Sequence, residues 1–329
     1  MQYSDRRPID GLQGTHRLHV KRNRRNDNHT EDNMTDESGT LRLLYPQWQG
    51  GVISHWMPDI PPEDAARGYY LGARILDMLA PAATGETVEV PVSLDYDRRT
   101  ENGICSYRTI LRQTAAALAI VRDRDPERIV TLGGECSVSV VPFTYLAAKY
   151  PDDVAVVWID AHPDITLPYD EYTGYHAMAL TACLGMGDKA ITDMLPGKFD
   201  VSKALIIGLR SWDAGMRERQ ERLGIKGISP EEIKNDSSRI LEWLKETGAR
   251  KVVVHFDLDV LDPAEIIAGV GVEPGGMKID ETATLIREIA ARYDIVGLTV
   301  AEPMPRTAIK LRDMLAKLPL LGDSNRRHD

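Results

Sequence analysis

The chain of 329 residues has few cysteines and no long apolar run. Its 3 cysteines, Cys105, Cys136 and Cys183, do not form a disulfide framework, which is typical of a protein in a reducing compartment. No apolar stretch approaches the ~20 residues that cross a bilayer, and no N-terminal apolar segment indicates secretion. These features predict a cytoplasmic protein without a membrane partner.

Basic residues are outnumbered by acidic residues in this sequence. Its 40 Lys and Arg residues face 50 Asp and Glu residues, which gives a formal net charge of −10. Such a balance favours solubility and argues against general nucleic-acid binding. With 43% hydrophobic residues, the chain can bury a large core.

The chain divides into two regions by its residue pattern. Residues 1–40 lack apolar periodicity and are rich in Arg, Asn, Asp and His, which predicts a disordered N-terminal extension; a basic interaction arm is the alternative. From residue 41 to residue 329, apolar runs alternate with helical patterns, and we interpret this region as one α/β domain. Such alternation indicates βαβ units and a parallel sheet with helices on both faces. Strands are predicted over residues 41–45, 87–92, 129–132, 154–159, 204–209, 252–256 and 295–300.

Acidic and imidazole side chains follow two of these strands. Asp160 and His162 come after one apolar strand, and Asp257 and Asp259 come after another. A spacing of two residues on an extended chain places both members of a pair on one face, and Asp164 follows closely. Several carboxylates share a low-dielectric pocket only when cations neutralise them. The pattern predicts a site for two divalent metals; a solvated strand end or helix cap is the alternative for each pair alone.

Three segments resemble motifs of the arginase/agmatinase (ureohydrolase) family. Asp-Ala-His-Pro-Asp at 160–164 resembles its Asp-Ala-His-x-Asp motif, and Phe-Asp-Leu-Asp-Val-Leu-Asp-Pro at 256–263 resembles Ser-Phe-Asp-x-Asp-x-x-Asp-Pro. Gly-Gly-Glu-Cys-Ser at 133–137 resembles Gly-Gly-Asp/Glu-His-Ser. The order and spacing fit from about Leu41 to the C-terminus. The resemblance implies a three-layer αβα fold with a mainly parallel sheet of about eight strands.

The resemblance also implies a metal centre and a reaction. Two divalent ions, manganese above all, would be held by six residues: Cys136, Asp160, His162, Asp164, Asp257 and Asp259. Asp160 and Asp257 would bridge the ions, His162 and Asp259 would complete one shell, and Asp164 and Cys136 the other. A metal-bridging hydroxide would attack a linear guanidino or amidino carbon and release an amine, plus urea from a guanidine.

Two positions depart from the family pattern. Cys136 stands where the family carries a ligand His; a thiolate ligand there would favour zinc, nickel, cobalt or iron, and the alternative is a small buried Cys that does not coordinate. His255 stands two residues before Asp257, in place of a Ser. His255 could be an outer donor, a substitute ligand or a hydrogen-bonded core His, and the sequence alone favours the last.

Three further residues match functional positions of the family. His176 corresponds to a His that passes a proton to the departing amine, and Glu302 to a Glu that pairs with the substrate guanidinium. Asp213 corresponds to one Asp of a pair that binds the α-amino group of arginine, whereas Ser211 replaces the other. A loop or core His and a helix-capping Glu are the ordinary alternatives for His176 and Glu302.

These observations predict a hydrolase of C–N bonds in linear amidines. Arginine, agmatine, guanidinobutyrate and formimidoylglutamate all remain open as the small-molecule substrate. The alternative is an arginase-fold pseudoenzyme that serves as a binding or regulatory subunit. In that interpretation, Cys136 in place of the ligand His indicates that hydrolysis has been lost. The resemblance further implies a homo-oligomer, either a trimer or a hexamer.

Overall fold

A parallel β-sheet forms the centre of the described part of the chain. The computed structural model describes residues 39–53, 57, 60–212 and 215–318, all of which belong to one compact unit. The predicted N-terminal extension lies outside the described residues up to position 38. The remaining two residues of that predicted extension are described, and the first strand begins at Thr40, one residue earlier than expected.

The main sheet has eight strands in the order β2-β1-β5-β10-β9-β6-β7-β8, and every neighbouring pair is parallel. A separate antiparallel hairpin consists of β3 and β4. The strand bounds are β1 Thr40–Tyr45, β2 Thr87–Glu89, β3 Thr100–Glu101, β4 Ile104–Cys105, β5 Arg128–Gly133, β6 Val154–Ile159, β7 Ala204–Ile207, β8 Lys226–Ile228, β9 Lys251–Asp257 and β10 Asp294–Ala301.

Helices cover both faces of this sheet. The helix bounds are α1 Pro62–Ala66, α2 Gly68–Leu79, α3 Tyr107–Arg124, α4 Val140–Lys149, α5 Ala179–Cys183, α6 Lys189–Thr192, α7 Met216–Leu223, α8 Pro230–Asn235, α9 Ser238–Thr247, α10 Ile279–Ala290 and α11 Arg306–Ala316. No helix within the described ranges is long and apolar enough to cross a membrane.

Two apolar cores separate the three layers. One core joins residues of α3, α4 and α5 to one face of the sheet, and the other joins α9 and α10 to the opposite face. All six residues of β6, Val-Ala-Val-Val-Trp-Ile, are buried. Alternate residues of this strand enter opposite cores, as parallel strands covered on both sides require. The predicted αβα fold with about eight mainly parallel strands is confirmed.

Some predicted bounds were wrong for local physical reasons. The strand β8 was missed because Lys226 and Gly227 are exposed at the sheet edge and give no apolar pattern. The strand β7 ends at Ile207, two residues before the predicted end, because Gly208 adopts a φ of 89°. A 3₁₀ segment, Tyr175–Met178, directly precedes α5.

Candidate metal centre and active site

Four adjacent strands bring the predicted site residues to one edge of the sheet. Asp160 directly follows β6, Asp257 ends β9, and Glu302 directly follows β10. Cys136 begins the short 3₁₀ segment Cys136–Ser139 after β5. Because β5, β10, β9 and β6 are successive neighbours, their carboxyl ends converge where ligands usually bind in such sheets.

The segment before Cys136 is fixed by a close approach of two backbones. A Cβ atom added at Gly134 would lie 1.8 Å from the carbonyl oxygen of Gln47, so only glycine fits there. The next residue, Glu135, is fully buried and accepts a hydrogen bond of 2.8 Å from the backbone N–H of Ser137. This cap starts the 3₁₀ segment and sets the position of Cys136.

Two of the site carboxylates belong to residues with a strained backbone conformation. Asp164 has a φ of 50° and Glu302 a φ of 64°, both in the left-handed region that residues with a Cβ rarely adopt. Both side chains are buried. Strain of this kind concentrates at functional sites, where the surrounding structure holds the residue in place.

His162 lies between two of the carboxylates. Its Nδ1 atom is 3.0 Å from Asp259 Oδ2 and 3.5 Å from Asp160 Oδ1. Asp160 also accepts a hydrogen bond of 2.7 Å from the His162 backbone N–H. One ligand atom from each of these three residues lies within 4.8 Å of the others, which is a spacing suited to a shared metal ion.

Cys136 contacts the carboxylates on the other side of the site. Its thiol donates to Asp257 Oδ2 at 2.9 Å and to Glu302 Oε1 at 3.3 Å, and its backbone N–H donates to Glu302 Oε1 at 3.1 Å. Ligand atoms of Cys136, Asp160, Asp164 and His255 also lie within 4.8 Å of one another. A third such group consists of Cys136, His176 and Glu302. Asp160 belongs to two of the three groups and Cys136 to two, so the groups overlap in one site.

His176 is held between an acid and a phenol. Its Nδ1 lies 3.1 Å from Glu302 Oε1, and its Nε2 lies 2.7 Å from the hydroxyl of Tyr172. Although burial alone would lower it, the Glu302 charge raises the pKa of His176 above its usual value. The imidazole thus has a proton partner on each side.

Burial dominates the electrostatics of the acidic cluster. It raises the pKa of Asp160 to about 6, with a further contribution from the Asp259 charge, and it raises the pKa of Asp164 and Asp257 well above the usual range. Asp259 behaves differently: although burial opposes ionisation, the His162 charge lowers its pKa to about 2. Burial and the nearby carboxylates likewise raise the pKa of the Cys136 thiol.

The donor set fits divalent cations. Five acids, Asp160, Asp164, Asp257, Asp259 and Glu302, are buried together, and only His162 and His176 offset their charge among the predicted site residues. The Oδ2 atom of Asp164 is buried and has no hydrogen-bond partner among the described residues. A buried carboxylate oxygen without a donor costs free energy that a cation would offset. Carboxylate and imidazole donors suit divalent metals such as manganese and zinc.

A cavity of about 440 Å³ opens onto this cluster. Its lining contains most of the predicted site residues, namely Cys136, His162, Asp164, His176, Asp257, Asp259 and Glu302. Asp160 is 0% exposed and lies beneath the lining. Ser211, Glu273 and Arg306 also border the cavity, whereas the predicted substrate residue Asp213 lies outside the described residues. The volume suits a small linear substrate.

Sequence reasoning missed the residues that support the site. Trp158 donates its indole N–H to Asp160 Oδ2 at 3.0 Å, and its place two residues before Asp160 on one strand was the signal for that contact. Ser139 and Tyr172 contact His255 and His176. Glu273 approaches His162 Nε2 at 3.8 Å, and no local pattern in the sequence indicates that contact.

Known proteins resemble this chain in sequence and in fold. Residues 78–317 match the sequence model described as the Arginase family. The arginase of Entamoeba histolytica is 25% identical over 244 residues, covering 70% of this chain and 80% of the relative. The N(omega)-hydroxy-L-arginine amidinohydrolase of Streptomyces lavendulae is 31% identical over 199 residues, covering 58% of this chain and 68% of the relative.

The fold comparison agrees with the sequence match. The crystal structure of Entamoeba histolytica arginase in complex with L-ornithine superposes with a TM-score of 0.65 at 18% identity, covering 81% of this chain and 92% of that one. Some other matching arginases are covered over only about half of their own length. The family match spans most of the described sheet and every predicted metal ligand. The chain therefore belongs to the arginase family.

Proposed function

We propose that this arginase-family protein is a metal-dependent hydrolase of a linear guanidino or amidino compound. It cleaves a C–N bond and releases an amine, together with urea when the substrate is a guanidine. The observation that carries this proposal is the convergence of five buried acids and two histidines at the floor of a cavity of about 440 Å³. Such a cluster needs cations, and the cavity leaves room for a substrate beside them.

In the proposed centre, two overlapping groups of donor atoms would each hold one divalent ion. Asp160 belongs to both groups, which supports a bridging role. Asp257, whose Oδ2 lies 2.9 Å from the Cys136 thiol, is proposed as the second bridge. His162 and Asp259 would hold one ion, and Asp164 and Cys136 would hold the other. When bound, the ions would supply Lewis-acid activation of a water molecule as the nucleophile. The carboxylates suit manganese, whereas a Cys136 thiolate favours zinc, nickel, cobalt or iron.

Glu302 and His176 are proposed to act on the substrate directly. The Glu302 carboxylate borders the cavity and can pair with a planar guanidinium through two hydrogen bonds. His176 Nδ1 lies 3.1 Å from Glu302 Oε1, so a guanidinium bound to Glu302 places its amine nitrogen beside the imidazole. His176 then donates a proton to the departing amine, and Tyr172 holds the other ring nitrogen.

Substrate choice depends on the outer part of the cavity. Arg306 and Glu273 border it with opposite charges, so an acidic and a basic substrate tail each have a candidate partner. Asp213, the proposed contact of an α-amino group, lies outside the described residues. Arginine, agmatine, guanidinobutyrate and formimidoylglutamate are therefore the compounds to compare.

The test is a substrate panel with metal-loaded protein. Protein loaded in turn with manganese, nickel, cobalt, zinc and iron is assayed for amine and urea release from the four compounds. We expect turnover of at least one compound with at least one ion, and loss of that turnover in Asp160→Asn, which removes the shared carboxylate. Metal binding without turnover of any linear amidine would contradict the hydrolase proposal.

One observation favours a second candidate function. The Cys136 thiol donates hydrogen bonds to Asp257 and Glu302. As a neutral hydrogen-bond donor, it satisfies carboxylate oxygens that a metal ion or a substrate would otherwise bind. An arginase-fold binding or regulatory subunit without hydrolysis is consistent with that arrangement. The variant Cys136→His separates the two functions: a strong gain of manganese-dependent hydrolysis would show that Cys136 is not a tuned ligand and that the native site is impaired.

A further inference from the structure

His255 is a buried imidazole for which the proposed function has no role. It lies on β9 two residues before Asp257, so both side chains project from the same face of the strand. Its side chain is 0% exposed, and the strand register places it beside Trp158 of β6. The two rings stack with centroids 3.7 Å apart and planes 12° apart.

The two ring nitrogens of His255 have different surroundings. Nδ1 lies 2.8 Å from the hydroxyl of Ser139, whereas Nε2 is buried and has no hydrogen-bond partner in the described part of the chain. If Nδ1 carries the proton and donates it to Ser139, Nε2 presents a lone pair. Metal-binding histidines commonly show this arrangement, with one nitrogen held by an outer partner and the other free to coordinate.

The His255 imidazole belongs to a cluster of potential ligands. A ring nitrogen of His255 lies within 4.8 Å of ligand atoms of Cys136, Asp160 and Asp164. Asp164, a member of the same cluster, also has a buried atom, Oδ2, without a hydrogen-bond partner among the described residues. Two members of one ligand cluster thus each carry a buried acceptor that a bound cation would satisfy.

We propose that His255 is a ligand of the metal ion that Asp160 and Asp164 hold, with Nε2 as its donor atom. The proposal rests on the proposed function in that it takes this metal position as real. It replaces the core role favoured by the sequence, because the residue with this unsatisfied nitrogen also belongs to a cluster of potential ligands. The resulting donor set of one imidazole, one thiol and two carboxylates resembles a four-coordinate zinc or cobalt site more than an all-oxygen manganese site.

Ser139 acts as a positioning residue in this arrangement. It lies on the same 3₁₀ segment as Cys136, so one short stretch of chain supplies a candidate ligand and fixes the ring of another. By accepting a hydrogen bond from Nδ1–H, its hydroxyl stabilises the tautomer that leaves the Nε2 lone pair free. Loss of such an outer partner typically weakens metal binding by 10–100-fold.

The test compares substitutions that replace one ring nitrogen at a time. His255→Asn keeps an amide near Nδ1 for Ser139 and removes the donor at Nε2, whereas His255→Gln keeps an oxygen near Nε2. Cobalt titrations followed by visible absorption, together with metal content per chain, give a readout independent of hydrolysis. Far-ultraviolet circular dichroism of each metal-free variant checks that it folds.

We expect wild-type protein to bind two ions and His255→Asn to bind one, or to bind the second at least ~100-fold more weakly. His255→Gln is expected to retain the second ion with intermediate affinity, and Ser139→Ala to bind it more weakly than wild type. Two ions bound by folded His255→Asn with unchanged affinity and cobalt spectrum would overturn the inference and leave the proposed function intact. No ion bound by wild-type protein would overturn both.

Discussion

At the scale of the residue, the indole of Trp158 controls the direction of a proposed bridging carboxylate. Its N–H donates to Asp160 Oδ2 at 3.0 Å, and Asp160 Oδ1 accepts from the His162 backbone N–H at 2.7 Å. Both carboxylate oxygens are therefore oriented by the protein before any cation binds. Such outer contacts hold a ligand in the geometry that binding requires.

We predict that Trp158→Phe weakens metal binding by ~10–100-fold while the protein stays folded, because the ring packing remains and only the donor to Asp160 is lost. Isothermal titration with manganese and with zinc measures the change. The matched control is Trp243→Phe, since Trp243 is buried in the core on the opposite face of the sheet. Equal affinity in Trp158→Phe and wild type would show that the indole hydrogen bond is irrelevant to the site.

Glu302 offers a second prediction at this scale. We predict that Glu302→Gln lowers kcat/KM at least ~100-fold with metal content unchanged, because the isosteric amide loses the charge that pairs with a guanidinium. Steady-state kinetics with the best substrate of the panel measure the effect. The surface substitution Glu242→Gln on α9 serves as the control, and a small effect of Glu302→Gln would exclude a direct role in substrate binding.

At the scale of the element, an ion pair holds the loop that follows Asp164. Arg219 of α7 donates to both carboxylate oxygens of Asp170, at 2.9 Å to Oδ1, and to the carbonyl oxygen of Ile165 at 2.9 Å. Both ends of the loop are thereby tied to one helix. Hydrogen bonds from Arg219 are the main reason that the pKa of Asp170 is lowered.

We predict that Asp170→Asn lowers the free energy of unfolding by ~1 kcal/mol at pH 7, since the pair is partly screened by solvent. Because the folded-state pKa of Asp170 is lowered, the ion pair stabilises the protein above the pKa of the unfolded chain, and this stability is lost as pH falls. The difference in unfolding free energy between wild type and Asp170→Asn should therefore shrink below pH ~4. Urea unfolding at several pH values measures it. Asp193→Asn, which removes an exposed helical pair with Lys189, is the control, and a deficit that persists at low pH would contradict the assignment.

The sequence predicted the elements of the core better than the edges. Apolar runs such as Val154–Ile159 are buried on both faces, so their bounds follow from composition alone. The strand Lys226–Ile228 exists because it pairs with β7 at the sheet edge, and its own residues carry no such pattern. Edge strands depend on tertiary pairing that local sequence does not encode.

In the candidate site, too, some features follow from local sequence and others only from the fold. The spacing of Asp160, His162, Asp257 and Asp259 predicted their convergence, because it depends on strand periodicity and on the end of the sheet where ligands bind. The contacts of Ser139 with His255 and of Glu273 with His162 join distant stretches of chain. Only the folded structure brings these pairs together, and only the structure shows that His255 Nε2 has no hydrogen-bond partner among the residues described.

At the scale of the whole molecule, the arginase-family fold is confirmed, and so is the expectation of an arginase-family enzyme of the kind that hydrolyses C–N bonds in linear amidines. The substrate, the identity of the metal and the role of each site residue are proposals. The cytoplasmic location and the trimeric or hexameric assembly stay predictions. The family assignment comes from a match over residues 78–317, and the buried acids are the basis of the proposed dependence on cations.

That dependence has a consequence for global stability. We predict that chelation lowers the thermal unfolding midpoint and that the native ion restores it, because a ligand that binds only the folded state stabilises it by mass action, by about 2.7 kcal/mol at 100 times its Kd. Differential scanning fluorimetry with and without each ion measures the shift. Asp160→Asn is the control and should respond weakly. If the ions shifted the unfolding midpoint of Asp160→Asn as much as that of wild type, they would bind outside this acidic cluster.

The proposed two-metal centre makes the metal content of the protein the decisive quantity. Elemental analysis of protein purified without added metal or chelator measures it as ions per chain. We expect about two transition-metal ions per chain, and their identity shows whether Cys136 and His255 have moved the site from manganese toward zinc, cobalt, nickel or iron. If the protein holds no metal and takes up none from solutions of these ions, the buried acids do not form a two-metal centre.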